Sequence, residues 1–189
     1  MESRGGPAPR LASQSSTAVS SDVCDGCGFD FDAIAVQEIA PRSIAGATEV
    51  AAELVENGEQ ATKRPSPDRW SNVEYAAHIR DVMLTIRDRI VLRLVEDNPG
   101  FKPLYRDERI DRGLYRLDTP EVVAVEVAAA VAMFVRLFEA IDEGSLGRMV
   151  QYGHPSPVPR MLAWMSKQVV HETEHHLADM RENARALGP

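Results

Sequence analysis

The chain has 189 residues, 44% of them hydrophobic, with a formal net charge of -8 and a pI near 5.1. That suits one well-packed domain, and the acidic balance excludes a sequence-independent nucleic-acid surface, which needs a basic excess. No apolar run approaches a membrane span, the start Met1-Glu2-Ser3-Arg4-Gly5-Gly6 lacks signal-peptide order, and two cysteines make no disulfide framework, so a cytoplasmic protein without membrane or nucleic-acid partners is expected.

Residues 1–22 are rich in Ser, Gly, Ala and Pro and carry no apolar period. The expected division is a disordered arm over 1–29, ending in a CxxC turn, followed by a helical bundle over 30–189. The first helix is expected from Arg42 to Asn57, with Pro41 in its first turn and Ile44, Ala47, Ala51, Leu54 and Val55 facing inward. Asn57-Gly58 stops it, and Lys63 to Asp68 form a loop.

Ser71-Asn72-Val73-Glu74 is a capping box, in which serine and glutamate each satisfy an orphan backbone donor. The second helix should run from Asn72 to about Glu96, stopped by Asn98-Pro99-Gly100. Its seam is Tyr75, His78, Val82, Ile86 and Ile90, so a histidine interrupts an apolar face. Glu74 and Asp81 lie at i-4 and i+3 from His78, placed to orient its ring. Residues 99–119 form a long connection, uncommon without a function or a crossover to make. Its charge run, Arg106 to Arg112, reads as a solvated face. Thr119-Pro120 caps and starts a third helix, reaching about Asp142; its Ala, Val, Met and Phe content predicts deep burial. A second connection, 144–159, carries Tyr152, Gly153 and His154. There is no strand-rich region, and four long helices with two long connections predict an all-α four-helix bundle with crossovers.

The last helix, Pro159 to Leu187, holds three of the five histidines. Its seam of Leu162, Met165, Val169, Met180 and Leu187 runs through Glu172 and His176. His171, His175 and Trp164 project roughly opposite. A buried carboxylate beside a buried imidazole costs several kcal/mol, of order 3–5, unless paired or bound to a metal. His78, Glu172 and His176 thus make a candidate three-ligand divalent metal site with positions left open for water or substrate. The alternatives are a hydrogen-bonded Glu–His pair with an unrelated His78, and a register that turns His171 and His175 inward. Cys24-Asp25-Gly26-Cys27 lacks the strand and helix of a redox pair. As half of a zinc site it would need His154 or His171/His175; otherwise it is a turn tethering the arm. Trp70 and Trp164 read as packing residues, and His154 as a loop histidine placed to line a site mouth.

Two segments resemble a known family. Trp70-Ser71-Asn72-Val73-Glu74-Tyr75-Ala76-Ala77-His78 and Glu172-Thr173-Glu174-His175-His176-Leu177-Ala178-Asp179-Met180 are similar to the metal motifs of the DinB-like four-helix bundles. That superfamily includes mycothiol-dependent maleylpyruvate isomerases and bacillithiol transferases. Glu172, His176 and Asp179 match the isomerase-type version of the last motif, and the isomerases carry a further C-terminal domain beyond it. The resemblance implies His78, Glu172 and His176 as metal ligands. It implies a divalent metal, commonly zinc or nickel, that activates the sulfur of a low-molecular-weight thiol such as mycothiol. The resulting expectation is a thiol-dependent transferase acting on a small electrophile, with its pocket roofed by 99–119 and 144–159. The alternatives are a metal-dependent hydrolase on the same site, and a non-catalytic metal-binding module that forms a homodimer. No general base stands out: Asp81, Glu74, Tyr105 and Arg109 qualify only by position.

Overall fold

A computed structural model describes residues 22–188. Its helices are α1 (Val36–Asn57), α2 (Asn72–Val95), α3 (Arg106–Asp111), α4 (Pro120–Glu139), α5 (Glu143–Leu146) and α6 (Leu162–Leu187), with a 3-10 turn over Gly58–Thr62. A hairpin, β1 (Met149–Tyr152) and β2 (Val158–Met161), lies between α5 and α6. The four long helices form the bundle. α1 and α2 each pack against α4 and α6 and have little contact with each other. They are therefore diagonal partners, and α1-to-α2 and α4-to-α6 are crossovers. α1 runs parallel to α6: Arg42 pairs with Glu174, and Glu53 with Arg181. α2 runs antiparallel to α6, with Asn72 bonded to Asn183 and His78 beside Glu172.

α1 starts earlier than expected. Glu38 accepts a hydrogen bond from the Ala35 N–H at 2.8 Å, and that cap holds the first turn, leaving Pro41 inside the helix. The inward face also differs. Ile39, Ser43, Ala47, Val50 and Leu54 are buried, whereas Ile44 and Val55 are 47% and 64% exposed. The cause is close helix approach: small residues mark the inward face of α1. A Cβ built on Gly46 would stand 2.7 Å from Thr173 Cγ2 of α6.

α2 follows its capping box. Ser71 Oγ accepts from the Glu74 N–H at 3.2 Å, and Glu74 accepts from the Ser71 N–H at 2.8 Å. Its expected seam, Tyr75 to Ile90, is buried throughout. α4 starts at the Thr119 cap but buries one face only; Val122 and Val125 are exposed, because α4 packs chiefly on α1 and α2. α6 begins at Leu162 rather than Pro159, since the preceding residues pair as β2. The hairpin is fixed to α2 by the buried Arg93, which donates to Met149 O and to Glu96 O, each at 2.6 Å.

The expected arm is only partly described. Residues 1–21 lie outside the described residues, while Asp22 to Ala35 lie against α6 as an ordered segment. Aromatic stacking holds it there, with Phe31 at 4.9 Å from Trp164.

Gly46→Ala tests the close approach. Alanine adds about 1 kcal/mol of helix propensity, but overpacking costs about 1–3 kcal/mol. Denaturant unfolding should show net destabilisation, largely recovered by Thr173→Ser in the same chain, which removes the methyl in the way.

Candidate metal centre

The three residues singled out on the seams of α2 and α6 come together. His78 Nε2 is 3.1 Å from Glu172 Oε2, and His176 Nε2 is 3.4 Å from the same oxygen. One donor atom from each lies within 4.8 Å of the others. His78 and His176 are 3% and 5% exposed, and the Glu172 side chain 23%. The α6 contribution follows from helical spacing, since residues four apart share a face. The α2 contribution follows from register. Asn183 Nδ2 donates to Trp70 O at 2.7 Å and to Asn72 Oδ1 at 3.0 Å, locking the start of α2 against α6.

Asp179 Oδ2 is 2.9 Å from His176 Nδ1. With Nδ1 donating to this carboxylate, the lone pair of His176 is on Nε2, facing Glu172. Burial opposes charge at every member of the cluster, and the partners decide the outcome. For Glu172, burial raises the pKa, but the imidazoles of His171, His176 and His78 outweigh it and hold the carboxyl well below its ordinary range. For His176, burial lowers the pKa and the carboxylates of Asp179 and Glu172 more than offset it. For His78, burial wins over Glu172, and the pKa falls. Two imidazole nitrogens and one ionised carboxylate oxygen fit a divalent transition metal.

His78 and Glu172 line a cavity of about 240 Å³. Val82 and Ile86 of α2 form one wall. Phe101, Pro103 and Leu104 come from the first expected roof, and Tyr152, Gly153 and His154 from the second. His154 is thus at the site mouth, as expected. Trp70 packs at the helix entry as expected, its ring 5.6 Å from that of His78 and 6.1 Å from that of His176.

Other expectations are corrected. Neither Glu74 nor Asp81 orients His78. Glu74 is engaged by Arg64, and Asp81 accepts from the Tyr115 hydroxyl at 2.8 Å and from Arg80 and Arg109. His78 Nδ1 has no hydrogen-bond partner among the described residues. The Arg106 to Arg112 run is not simply solvated, because Arg109 fixes Asp81 and Arg106 stacks 5.6 Å from Trp70 at the cavity edge. Arg89 escaped notice. It follows His78, Val82 and Ile86 on the same face of α2, and that phase was the available signal. His171 and His175 do face away from the cavity, under the N-terminal segment, although His171 Nδ1 stands 3.2 Å from Glu172 Oε1.

Residues 43–180 match the profile of the DinB superfamily. The chain belongs to the DinB superfamily. No curated protein matches it. Among solved structures it is similar in fold to YfiT from Bacillus subtilis, described as a probable metal-dependent hydrolase with an unusual four-helix bundle topology. The TM-score is 0.68 at 18% identity, covering 83% of this chain and 91% of YfiT. DinB-superfamily membership and the crossed topology thus agree with the expected bundle.

Asp179→Asn should retain the helical fold while weakening divalent-metal affinity about 10- to 100-fold, the usual effect of removing the carboxylate behind a ligating histidine. Competition titration against a metal indicator reads this directly.

Proposed function

We propose that this protein is a divalent-metal-dependent enzyme that transfers a low-molecular-weight thiol, of the mycothiol kind, to a small electrophile. His78, Glu172 and His176 would hold a divalent transition metal, and the family resemblance implies zinc or nickel. The observation that carries the reading is Glu172 Oε2 within 3.1 Å and 3.4 Å of two imidazole nitrogens at the edge of a cavity. A divalent ion there supplies Lewis acidity, which lowers the pKa of a coordinated thiol or water.

The cavity walls favour the thiol. Besides Glu172, no carboxylate lines the cavity among the described residues, which leaves His154 at the mouth as the remaining candidate general base toward water. Thiols need less help, being far more acidic than water. The walls also carry cations. Arg89 lies beneath Phe101 and Tyr152, at 5.2 Å and 5.8 Å from their ring centres. It donates to Lys102 O at 2.6 Å and has no carboxylate partner among the described residues. A guanidinium so placed has donors free for an anionic substituent of a small substrate. Arg106 adds a second charge at the cavity edge.

Hydrolysis is the second reading, favoured by the fold shared with YfiT. One assay separates the two. Electrophile consumption should require an added small thiol and yield a thioether adduct; equal turnover without thiol would overturn the transfer reading in favour of hydrolysis. His176→Ala should abolish both metal retention and turnover. Metal content and activity unchanged in that variant would overturn the site. Arg89→Met should raise KM for an anionic thiol or electrophile about 10- to 100-fold, the scale of a lost charged hydrogen bond, with a smaller change in kcat.

A further inference from the structure

The two cysteines sit in a tight turn at the tip of the N-terminal segment. The Gly28 N–H donates to Cys24 O at 2.8 Å, the Cys24 N–H to Phe29 O at 2.9 Å, and the Phe31 N–H to Asp22 O at 3.0 Å. Val23 and Asp30 pair as an antiparallel bridge. Gly28 closes the turn at a φ of 74°, which glycine adopts without strain.

This tip is seated on α6. Phe29 meets the His171 ring at 5.3 Å, Lys167 Nζ donates to Phe31 O at 2.7 Å, and Arg160 pairs with Asp22 at 2.9 Å. A Cβ on Gly26 would stand 3.2 Å from His175 Cε1, so glycine is what permits the approach. As a result, the sulfurs of Cys24 and Cys27 and one ring nitrogen each from His171 and His175 lie within 4.8 Å of one another. Tetrahedral zinc, with Zn–S about 2.3 Å and Zn–N about 2.0 Å, places its ligand atoms about 3.3–3.8 Å apart. Small side-chain adjustments close that difference.

The histidines point the same way. Both ring nitrogens of His171 and Nδ1 of His175 are buried without a hydrogen-bond partner among the described residues. Glu172 Oε1 stands 3.2 Å from His171 Nδ1 but out of line for a hydrogen bond. Buried polar atoms left unpaired cost about 1–3 kcal/mol each, unless an ion takes their lone pairs. The spacings fit as well: C-x2-C and H-x3-H are the two halves of a Cys2His2 zinc site, here at opposite ends of the chain.

We propose that Cys24, Cys27, His171 and His175 bind a second metal ion, a zinc that pins the N-terminal segment to α6. The site shares no ligand with the candidate centre. Four protein ligands leave no position for substrate, which makes it structural. Two thiolates and two imidazoles select zinc over harder ions. Cys27 is exposed, which gives the ion an entry path.

The test is cobalt substitution of the full chain under reducing conditions. Thiolate-to-cobalt charge-transfer absorption should appear with the wild type and with the His78→Ala/His176→Ala double variant. It should vanish in Cys24→Ser/Cys27→Ser, with total bound metal falling from two ions per chain to one. A wild-type protein with both thiols reduced and no such band overturns the proposal, and this arm needs no variant to fold. So does a Cys24–Cys27 disulfide that re-forms in the presence of excess zinc. The band reports sulfur ligation alone, so its absence leaves the His78–Glu172–His176 reading standing, and loss of that reading leaves the band.

Discussion

Glu172 accepts imidazole contacts from two helices, and the packing of α2 on α6 is arranged around that carboxylate. Burial of most of this carboxylate would favour its protonated form if it had no partners. His78 and His176 flank one oxygen and His171 stands beside the other, so the charged form is the favoured one. Such an arrangement tolerates little slippage. One residue of helical rotation moves a side chain by about 100°, which would carry His78 off the cavity face. The Asn72–Asn183 pair and the bond from Asn72 Nδ2 to Met180 O, at 3.2 Å, supply the register that prevents it. They are buried and polar, as a register device at a helix crossing has to be if it is to discriminate between alignments.

Topology then explains why the cavity exists. Because α1 and α2 are diagonal, as are α4 and α6, the chain must cross the end of the bundle twice. The α4-to-α6 crossing supplies Tyr152, Gly153 and His154 to the roof of the site, while the α2-to-α4 connection, which joins neighbouring helices, supplies Phe101, Pro103 and Leu104. Arginines fasten them down. Arg93 and Arg148 tie the hairpin to the end of α2, while Asp81 gathers Arg109 and Tyr115 from the other connection. Asp81 is a buried carboxylate satisfied by several donors, so it serves as an anchor.

The extent to which this was legible in the sequence varied with how periodic each element is. On α6 the apolar seam was long enough to fix the phase, and it selected Glu172 and His176 over the more conspicuous His171 and His175. On α2 the same reasoning found His78 and passed over Arg89, because an arginine at a seam edge looks like a solvated side chain. On α1 it held in part: Ala47 and Leu54 are buried as expected, but Ile44 and Val55 are exposed, and the small Ser43 and Gly46 take the inward face, Gly46 close against Thr173. The hairpin was hidden by its length, four residues a strand with no alternation to read. The Cys24–Cys27 turn was visible, but the residues facing it were separated from it by nearly the whole chain, and only packing brings them together.

The histidine cluster on α6 therefore serves two faces of one helix. Glu172 and His176 face α2 and the cavity; His171 and His175, one residue earlier in each case and so turned by about 100°, face the N-terminal segment. Two carboxylates stand between the faces. Asp179 Oδ2 bonds His176 Nδ1 at 2.9 Å and lies 3.7 Å from His175 Nε2, and Glu172 contacts His176 through one oxygen and His171 through the other. Whatever orders His171 and His175 also limits where Glu172 and Asp179 can go. A segment clamped on the outer face of α6 thus restricts the rotamers of the inner one, without touching the cavity.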